Sequence, residues 1–408
     1  MSDRAILVIN TGSSSLKFGL YAEQHGQQQL LLDGSADGIG RSSGKFEVRD
    51  ANARTRRSEN LSFASQSDAL KHAAQALAEL SKITPIAVGH RVVHGGPHLL
   101  THQLITPAVI EELQACLHFA PLHIPIALEL IQRAEQVYPG IPQFACFDTA
   151  FHTTIPEAAS RFAIPRDLFA EGIRRYGFHG LSYESIVYQL GKDLPSRTLV
   201  AHLGSGASLA ALRDGRSVDT TMGLTPTGGI PMATRTGDLD PGVLLYLLRV
   251  KGMDADSLED LLNHDSGLKA LSGDKADMRD LEVAAAGGDQ QAQLAIEIFC
   301  TAIRKVVASY TAVLGGLDLL VFSGGIGEHS AQVRSRVCHG LDFLELSIDD
   351  RQNEAHSPVI SSEKSRVGIR IVPSQEDRQI ARHCRSLVQS SLMQGSRLQG
   401  SSLQASES

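Results

Sequence analysis

Three short segments rich in glycine and hydroxyl side chains each follow an apolar run. They are Asn10-Thr11-Gly12-Ser13-Ser14-Ser15, His202-Leu203-Gly204-Ser205-Gly206-Ala207-Ser208 and Ser323-Gly324-Gly325-Ile326-Gly327-Glu328. Glycine permits a tight turn and a close approach to the backbone, and successive N–H groups with hydroxyls can cradle phosphate oxygens. Each segment taken alone is equally ordinary turn chemistry. Three of them after apolar strands in one chain point to a phosphate-handling cleft. None is a Walker A loop, which needs GxxxxGK[ST] leading into a helix. No GxGxxG follows the first strand, which argues against a dinucleotide site of the Rossmann kind.

Four further segments offer charge. Gly89-His90-Arg91-Val92-Val93-His94-Gly95-Gly96 sets two histidines and an arginine beside a double glycine. That fits an anion site, or a strand-end turn with an ion-paired arginine. Its HxxxH spacing lacks a nearby cysteine or carboxylate, which argues against zinc. Asp148 closes an apolar run in Asp148-Thr149-Ala150-Phe151-His152, where a carboxylate can hold a divalent cation or accept a proton. Arg174-Arg175-Tyr176-Gly177-Phe178-His179-Gly180 can present His179 to a substrate, or hold it as a structural histidine. Met232-Ala233-Thr234-Arg235-Thr236-Gly237-Asp238 places Arg235 in a glycine-bounded loop, a setting equally common for a solvated ion pair. Glu376 follows Pro373-Ser374-Gln375 at the start of the last helical pattern, where the helix dipole alone also favours an acid.

The elements that position these groups alternate between strand and helix. Ala5–Ile9 and Leu16–Tyr21 read as a hairpin with a hydroxyl-rich tip. Arg49–Arg57 is polar and reads as a surface loop or edge. Helical patterns cover Asp68–Lys82, the run after Thr106-Pro107, and Pro125–Tyr138, with short strands at Ile86–Gly89 and Gln143–Phe147. A second series follows residue 150: a helix at Ser182–Leu190, paired strands Leu199–Leu203 and Ala207–Leu212, and Ser217–Thr221 after the Asp214-Gly215 turn. Then come a helix from Asp240-Pro241 through Val250 and a long helix from near Asp289, whose core face is Ile303, Val306, Val307, Tyr310 and Val313. Strands Leu317–Phe322 and Arg366–Val372 and a helix Glu376–Val388 complete it, and the Ser- and Gln-rich tail 389–408 is expected to lack fixed structure. Alternation in both halves predicts two α/β layers with a cleft.

With 408 residues, 42% apolar and 20% charged, the chain is long enough for two or three domains and is not disordered as a whole. A net charge of −7, with no basic stripe or cationic amphipathic helix, points away from nucleic acid and from membrane surfaces. Five scattered cysteines without a CxxC pair, no secretory signal and no run near ~18 apolar residues predict a soluble, cytoplasmic protein.

Taken together, ILVINTGSSSLKF, VGHRVVHGG, APLHIP, CFDTAFH, RRYGFHG, HLGSGASL, MATRTGDLDP, FSGGIGEHS and VPSQED resemble the acetokinase family of acetate, propionate and butyrate kinases, in family order from residue 6 to 377. The resemblance implies the α/β, two-domain actin-like ATPase fold shared with sugar kinases, Hsp70 and actin, with the active site in the interdomain cleft. It implies an acyl-substrate lobe at 1–149 completed by the helix 376–388, a nucleotide-binding and dimerisation lobe at 150–375, and a homodimer. It implies reversible, in-line transfer of the ATP γ-phosphoryl group to acetate, giving acetyl phosphate and ADP, with Mg²⁺ or Mn²⁺.

By the same resemblance Arg91, Asp148, His179 and Arg235 are catalytic, and Asn10 and Glu376 belong to the metal centre. Arg91, Val93, Leu122, Phe178 and Pro226 take the acyl substrate. Lys17, His202, Gly204, Ser205, Gly206, Asp277, Arg279, Gly324, Gly325, Ile326 and Gly327 take the nucleotide. Four positions depart from the family pattern: Ser205 stands for Asn, Tyr183 for His, Ile124 for Asn and Ala233 for Gly. They bear on substrate size and nucleotide preference more than on reaction type.

Overall fold

β1 (Ala5–Thr11) is buried from Ala5 through Asn10, as befits a near-continuous apolar strand covered on both faces. The computed structural model to which it belongs describes residues 4–12, 14–24 and 27–404. The chain forms two units: Phe151–Ser374, and the segments on either side of it.

In the first unit β1 pairs antiparallel with β2 (Ser15–Gln24), and β2 with β3 (Gln27–Asp37). β4 (Lys45–Asp50) and β5 (Thr55–Asn60) extend that edge. On its other side β1 runs parallel to β6 (Pro85–Val92), and β6 to β8 (Gln143–Phe147), with β7 (Gln103–Leu104) beyond. The sheet order is β5-β4-β3-β2-β1-β6-β8-β7. The helix Gln66–Ser81 buries Ala69, Leu70, Ala73, Ala74, Ala76 and Leu77; Ser65 caps it by accepting from Asp68 N–H. The last helix, Glu376–Gln404, packs on β1 and β6. A side chain at Gly89 of β6 would put its Cβ 2.5 Å from Cys384 Sγ and 2.6 Å from Ile380 Cγ2, so glycine there sets how near the helix lies.

The second unit repeats the central plan. β9 (Arg197–Leu203), β10 (Ala207–Arg213) and β11 (Arg216–Thr220) form an antiparallel meander, and β9 runs parallel to β12 (Leu319–Ser323), β12 to β13 (Gly368–Ile371). The order β11-β10-β9-β12-β13 matches β3-β2-β1-β6-β8 strand for strand in direction as well as position. The helix Gln290–Leu314 covers this sheet with Ala292, Ala295, Ile296, Phe299, Ile303, Val307 and Tyr310.

Of the surface loop or edge expected at Arg49–Arg57, the structure has the edge: the segment holds the turn of the β4–β5 hairpin. β5, TRRSEN, carries no apolar residue, so its strand character was invisible to hydrophobic patterning. Ion pairs such as Arg57 with Glu59, at 2.8 Å, clothe this charged edge. Val313 does not join the core face of its helix; it is 49% exposed. The last helix passes Val388 and runs to Gln404, so the tail expected to lack structure is helical that far. It has no proline to stop a helix already begun, and Gln, Leu, Arg and Met extend one readily. Residues 405–408 of that tail, and Ser13 of the first turn, lie outside the described residues.

Candidate active site

The carboxyl ends of adjacent parallel strands are where α/β sheets bind ligands. In the first unit those strands are β1, β6 and β8, and they deliver Asn10, Arg91 and, one residue past β8, Asp148. Asp148 is 1% exposed. Its Oδ2 accepts from Arg91 Nη2 at 2.6 Å and from Nε at 3.0 Å. Arg91 Nη1 donates to Asn10 Oδ1 at 3.3 Å and to the Thr11 carbonyl at 3.4 Å. Asn10 turns its amide the other way to donate to Asp377 Oδ1 at 2.7 Å and Glu376 Oε2 at 3.4 Å. Burial pulls the Arg91 guanidinium down, but Asp148, Glu376 and Asp377 outweigh it and hold it above its ordinary value.

The structure therefore joins four of the expected residues, Asn10, Arg91, Asp148 and Glu376, and adds Asp377. The signal for Asp377 was the acidic doublet at the helix start. Lys17 stands opposite Asn10 in the β1–β2 register and is exposed; its positive charge bears on Asp377. Val93 is half-buried just past β6, and Leu122, 38% exposed, precedes the helix Ile124–Val137. Ile124 is buried at the first turn of that helix.

The carboxylates and the Asn10 carbonyl form an all-oxygen donor set, the chemistry of a hard divalent cation. Asp377 bears its mark. Burial raises its carboxyl above the usual range, the Asn10 hydrogen bond opposes this, Glu376 adds to it, and Lys17 and Arg91 oppose it. A carboxyl raised in the folded state binds protons more readily than in the unfolded chain. Its ionisation therefore costs stability as pH rises through the raised value. Asp377→Asn is expected to raise the melting temperature of the metal-free protein at neutral pH by roughly 2–4 °C. It should also remove most of the further rise that a divalent cation gives the wild type. Calorimetry with and without the cation checks both, and equal cation responses would discard the carboxylate pair as the site.

In the second unit the β9–β10 turn Gly204-Ser205-Gly206 closes with Gly204 N–H donating to the Gly206 carbonyl at 3.0 Å. Ala233 N–H donates to the Ser205 carbonyl at 3.1 Å and so docks the Arg235 loop on this turn. Arg235 Nη1 donates to the Pro226 carbonyl at 3.2 Å. His179, in the left-handed region at φ 59°, precedes the helix Gly180–Leu190. Its ring stacks on His202 with centroids 4.4 Å apart. A Cβ at Gly206 would lie 3.2 Å from His179 Nε2 and 3.6 Å from Arg235 Nη1, so both groups address the same glycine. Phe178, fully enclosed, accepts from His152 Nε2 through its carbonyl at 2.9 Å.

The third glycine segment begins the short helix Gly324–His329 at the end of β12. Gly324 has φ +76°, and a Cβ there would meet the Leu203 carbonyl oxygen at 2.6 Å, so this turn needs glycine. A Cβ at Gly325 would meet nothing within 4 Å, which leaves its backbone approachable. Glu328 is structural: its Oε1 accepts from Gly324 N–H and Ser374 N–H, both at 3.0 Å.

Arg334, fully buried, gave no motif signal. It donates to the carbonyls of Gly327 at 2.9 Å, Glu328 at 3.0 Å and Asn353 at 2.8 Å, and to Asn353 Oδ1 at 2.7 Å. Burial pulls its guanidinium down to about 10. Asp277 and Arg279 make a pair of their own, 2.7 Å apart, at the start of the helix Met278–Ala286.

The acetokinase family model matches residues 5–382. The acetate kinase of Methylocella silvestris is 43% identical over 403 residues, covering 94% of this chain and 98% of its own. That of Rhodopseudomonas palustris is 44% identical over 398 residues, with the same coverage. Among solved structures, a propionate kinase from Francisella tularensis superposes with TM-score 0.88 at 38% identity, over 94% of this chain and all of that one. The Porphyromonas gingivalis acetate kinase gives 0.83 at 34% identity, with the same coverage. No helix among the described residues is long and apolar enough to cross a membrane.

Proposed function

The chain belongs to the acetokinase family, with its two-domain actin-like ATPase fold, and on that premise we propose how its two half-sites carry out phosphoryl transfer between ATP and a short carboxylate. It is a kinase that uses ATP or ADP as co-substrate with a divalent metal. Acetate is the acceptor, and acetyl phosphate and ADP are the products of this reversible reaction. Mg²⁺ is the metal.

Acetate is already ionised at pH 7, since carboxyl groups titrate near 4. The nucleophile needs no base; its obstacle is the charge of the γ-phosphate. One opposite charge at ~4 Å in an effective dielectric of ~20 offsets about 4 kcal/mol before desolvation. Charge neutralisation and in-line positioning are the main means of phosphoryl transfer. Arg91 orients the acetate carboxylate, and Asp148 holds Arg91. Arg235 and His179 donate to the equatorial oxygens of the moving phosphoryl group. Asn10, Asp148, Glu376 and Asp377 would hold the metal, which would supply charge neutralisation for the transferred phosphoryl group. Lys17 adds positive charge on that side.

The turn His202–Ser208 and the segment Gly324–Gly327, with Asp277 and Arg279, bind the nucleotide. Val93, Leu122, Phe178 and Pro226 take the acyl methyl. Domain roles follow: the first unit is the acyl lobe and the second the nucleotide lobe. The observation that carries this reading is the placing of Asn10, Arg91 and Asp148 at three adjacent strand ends, with Asp148 gripping the arginine through Oδ2.

A homodimer is supported by the helix Pro241–Arg249. It buries none of its residues and exposes Val243, Leu245, Tyr246 and Leu248. The scattered cysteines favour the cytoplasm.

Trapping the acyl phosphate with hydroxylamine tests the activity. Acetate with ATP is expected to give hydroxamate, and propionate to give less, by a factor of roughly 10–200 at most, since one methylene is worth about 1–3 kcal/mol. Sugars should give no ADP. Formate, butyrate, GTP and pyrophosphate complete the profile. ADP release with a sugar but none with any carboxylate would reverse the reading.

A further inference from the structure

Taking as its basis the proposed contact of His179 with the moving phosphoryl group, we propose that Tyr183 is a positioning residue. Through Ser208 it fixes His179 as the neutral tautomer that carries its proton on Nε2.

Tyr183 is fully buried in the helix that His179 precedes. Its hydroxyl lies 2.5 Å from Ser208 Oγ, and Ser208 Oγ lies 2.8 Å from His179 Nδ1. A hydroxyl has one proton to give. The Tyr183 ring is packed against Phe151, stacked at 5.8 Å, and His152, edge-on at 5.4 Å. Among the described residues Ser208 Oγ is the one hydrogen-bond partner of this buried hydroxyl, so a phenol proton turned away from it would lose its hydrogen bond, and phenol is a better donor than an aliphatic hydroxyl. Tyr183 therefore donates to Ser208, and Ser208 must give its own proton to His179 Nδ1. Nδ1 is then the acceptor, and Nε2, the nitrogen facing Gly206 and the Arg235 side, carries the proton. Burial also lifts the Tyr183 phenol above its ordinary value, so it stays a donor at all working pH.

The other groups facing His179 agree in sign. His202, stacked on it from β9, has its own Nδ1 held at 2.8 Å by Ser182 Oγ, which receives from Ser374 Oγ at 3.0 Å. Arg235 faces the same glycine and repels an imidazolium. His152, beyond Tyr183, is kept neutral by burial, which brings it down to about 4. An N–H fixed on Nε2 meets the charge that accumulates on an equatorial phosphoryl oxygen, with no proton moved in the step. Tyr183 was noted in the sequence only as a departure from the family pattern; the structure gives it this task.

The test uses the full chain labelled with ¹⁵N in its histidine rings. His179→Gln provides the assignment. In the wild type His179 is expected to show a bare Nδ1 and a protonated Nε2 across neutral pH. In Tyr183→Phe the ring should shift toward the Nδ1–H tautomer and the imidazolium. Turnover should fall about tenfold with KM for both substrates within about twofold, as a misplaced tautomer slows the chemical step more than binding. Ser208→Ala should reproduce the shift, and Ser208→Thr, which keeps the hydroxyl, should restore tautomer and turnover. An unchanged tautomer in both Tyr183→Phe and Ser208→Ala overturns the proposal, whatever the activity. Wild-type turnover in His179→Gln instead removes the phosphoryl contact, a failure the ring spectra distinguish.

Discussion

Alanine in place of Arg91 or Arg235 is expected to lower kcat/KM for acetate at least about a hundredfold, or ~2.7 kcal/mol. The figure sits below the ~4 kcal/mol Coulomb estimate because desolvation takes part of the gain. Arg91 spends its Nε and Nη2 donors on Asp148 and its Nη1 on Asn10 and Thr11. Removing it leaves a carboxylate that is 1% exposed without its guanidinium. That variant should lose thermal stability as well as activity, since breaking a buried pair costs about 3–5 kcal/mol. Arg235 donates to the Pro226 carbonyl and to Met232 Sδ and faces Gly206, and Arg235→Ala should lose turnover. Lysine at Arg91 keeps the charge but not the fork, and should recover only part of the loss. Steady-state kinetics with calorimetry separate these outcomes, and near-normal turnover in either alanine variant removes that arginine from the mechanism.

Arg334→Met is expected to cost at least about 3 kcal/mol of stability in the second unit and to raise KM for ATP more than KM for acetate. The arginine is enclosed, and its donors satisfy three backbone carbonyls and the Asn353 side chain. Methionine fills much of the volume but donates nothing, and each buried acceptor left without a partner costs roughly 1–3 kcal/mol. Two of those carbonyls, Gly327 and Glu328, belong to the glycine segment that the nucleotide is proposed to approach. Losing them should therefore loosen that segment before it touches the carboxylate chemistry. Denaturant unfolding gives the first quantity and initial-rate kinetics the second. Equal rises in both KM values would show that Arg334 supports the unit as a whole rather than this loop.

Local pattern carried a large part of the fold. The cap at Thr106 with Pro107 behind it, the strand Gln143–Phe147 and the Asp289 start of the long helix were all legible because each depends on residues within a few positions. The strand β5 was not, because TRRSEN has no apolar residue to alternate, although it pairs with Phe46 and Val48 of β4. Val313 was misplaced because the buried stripe continues through Tyr310, Thr311 and Leu314, and Val313 sits beside it on the exposed face.

The same division holds at the site. Sequence by itself determined the family and the reaction class, since glycine turns, arginines and a strand-end aspartate sit in short contiguous motifs. Tertiary structure decided their partners. Asn10 meets Asp377 across 367 positions of chain, and Arg91 meets Asp148 across 57. Tyr183 reaches Ser208 across 25 and so acquires a bearing on His179. Whether a carboxylate holds a cation, grips an arginine or takes a proton depends on its burial and on the charges around it. Both arise only when distant strand ends are brought side by side.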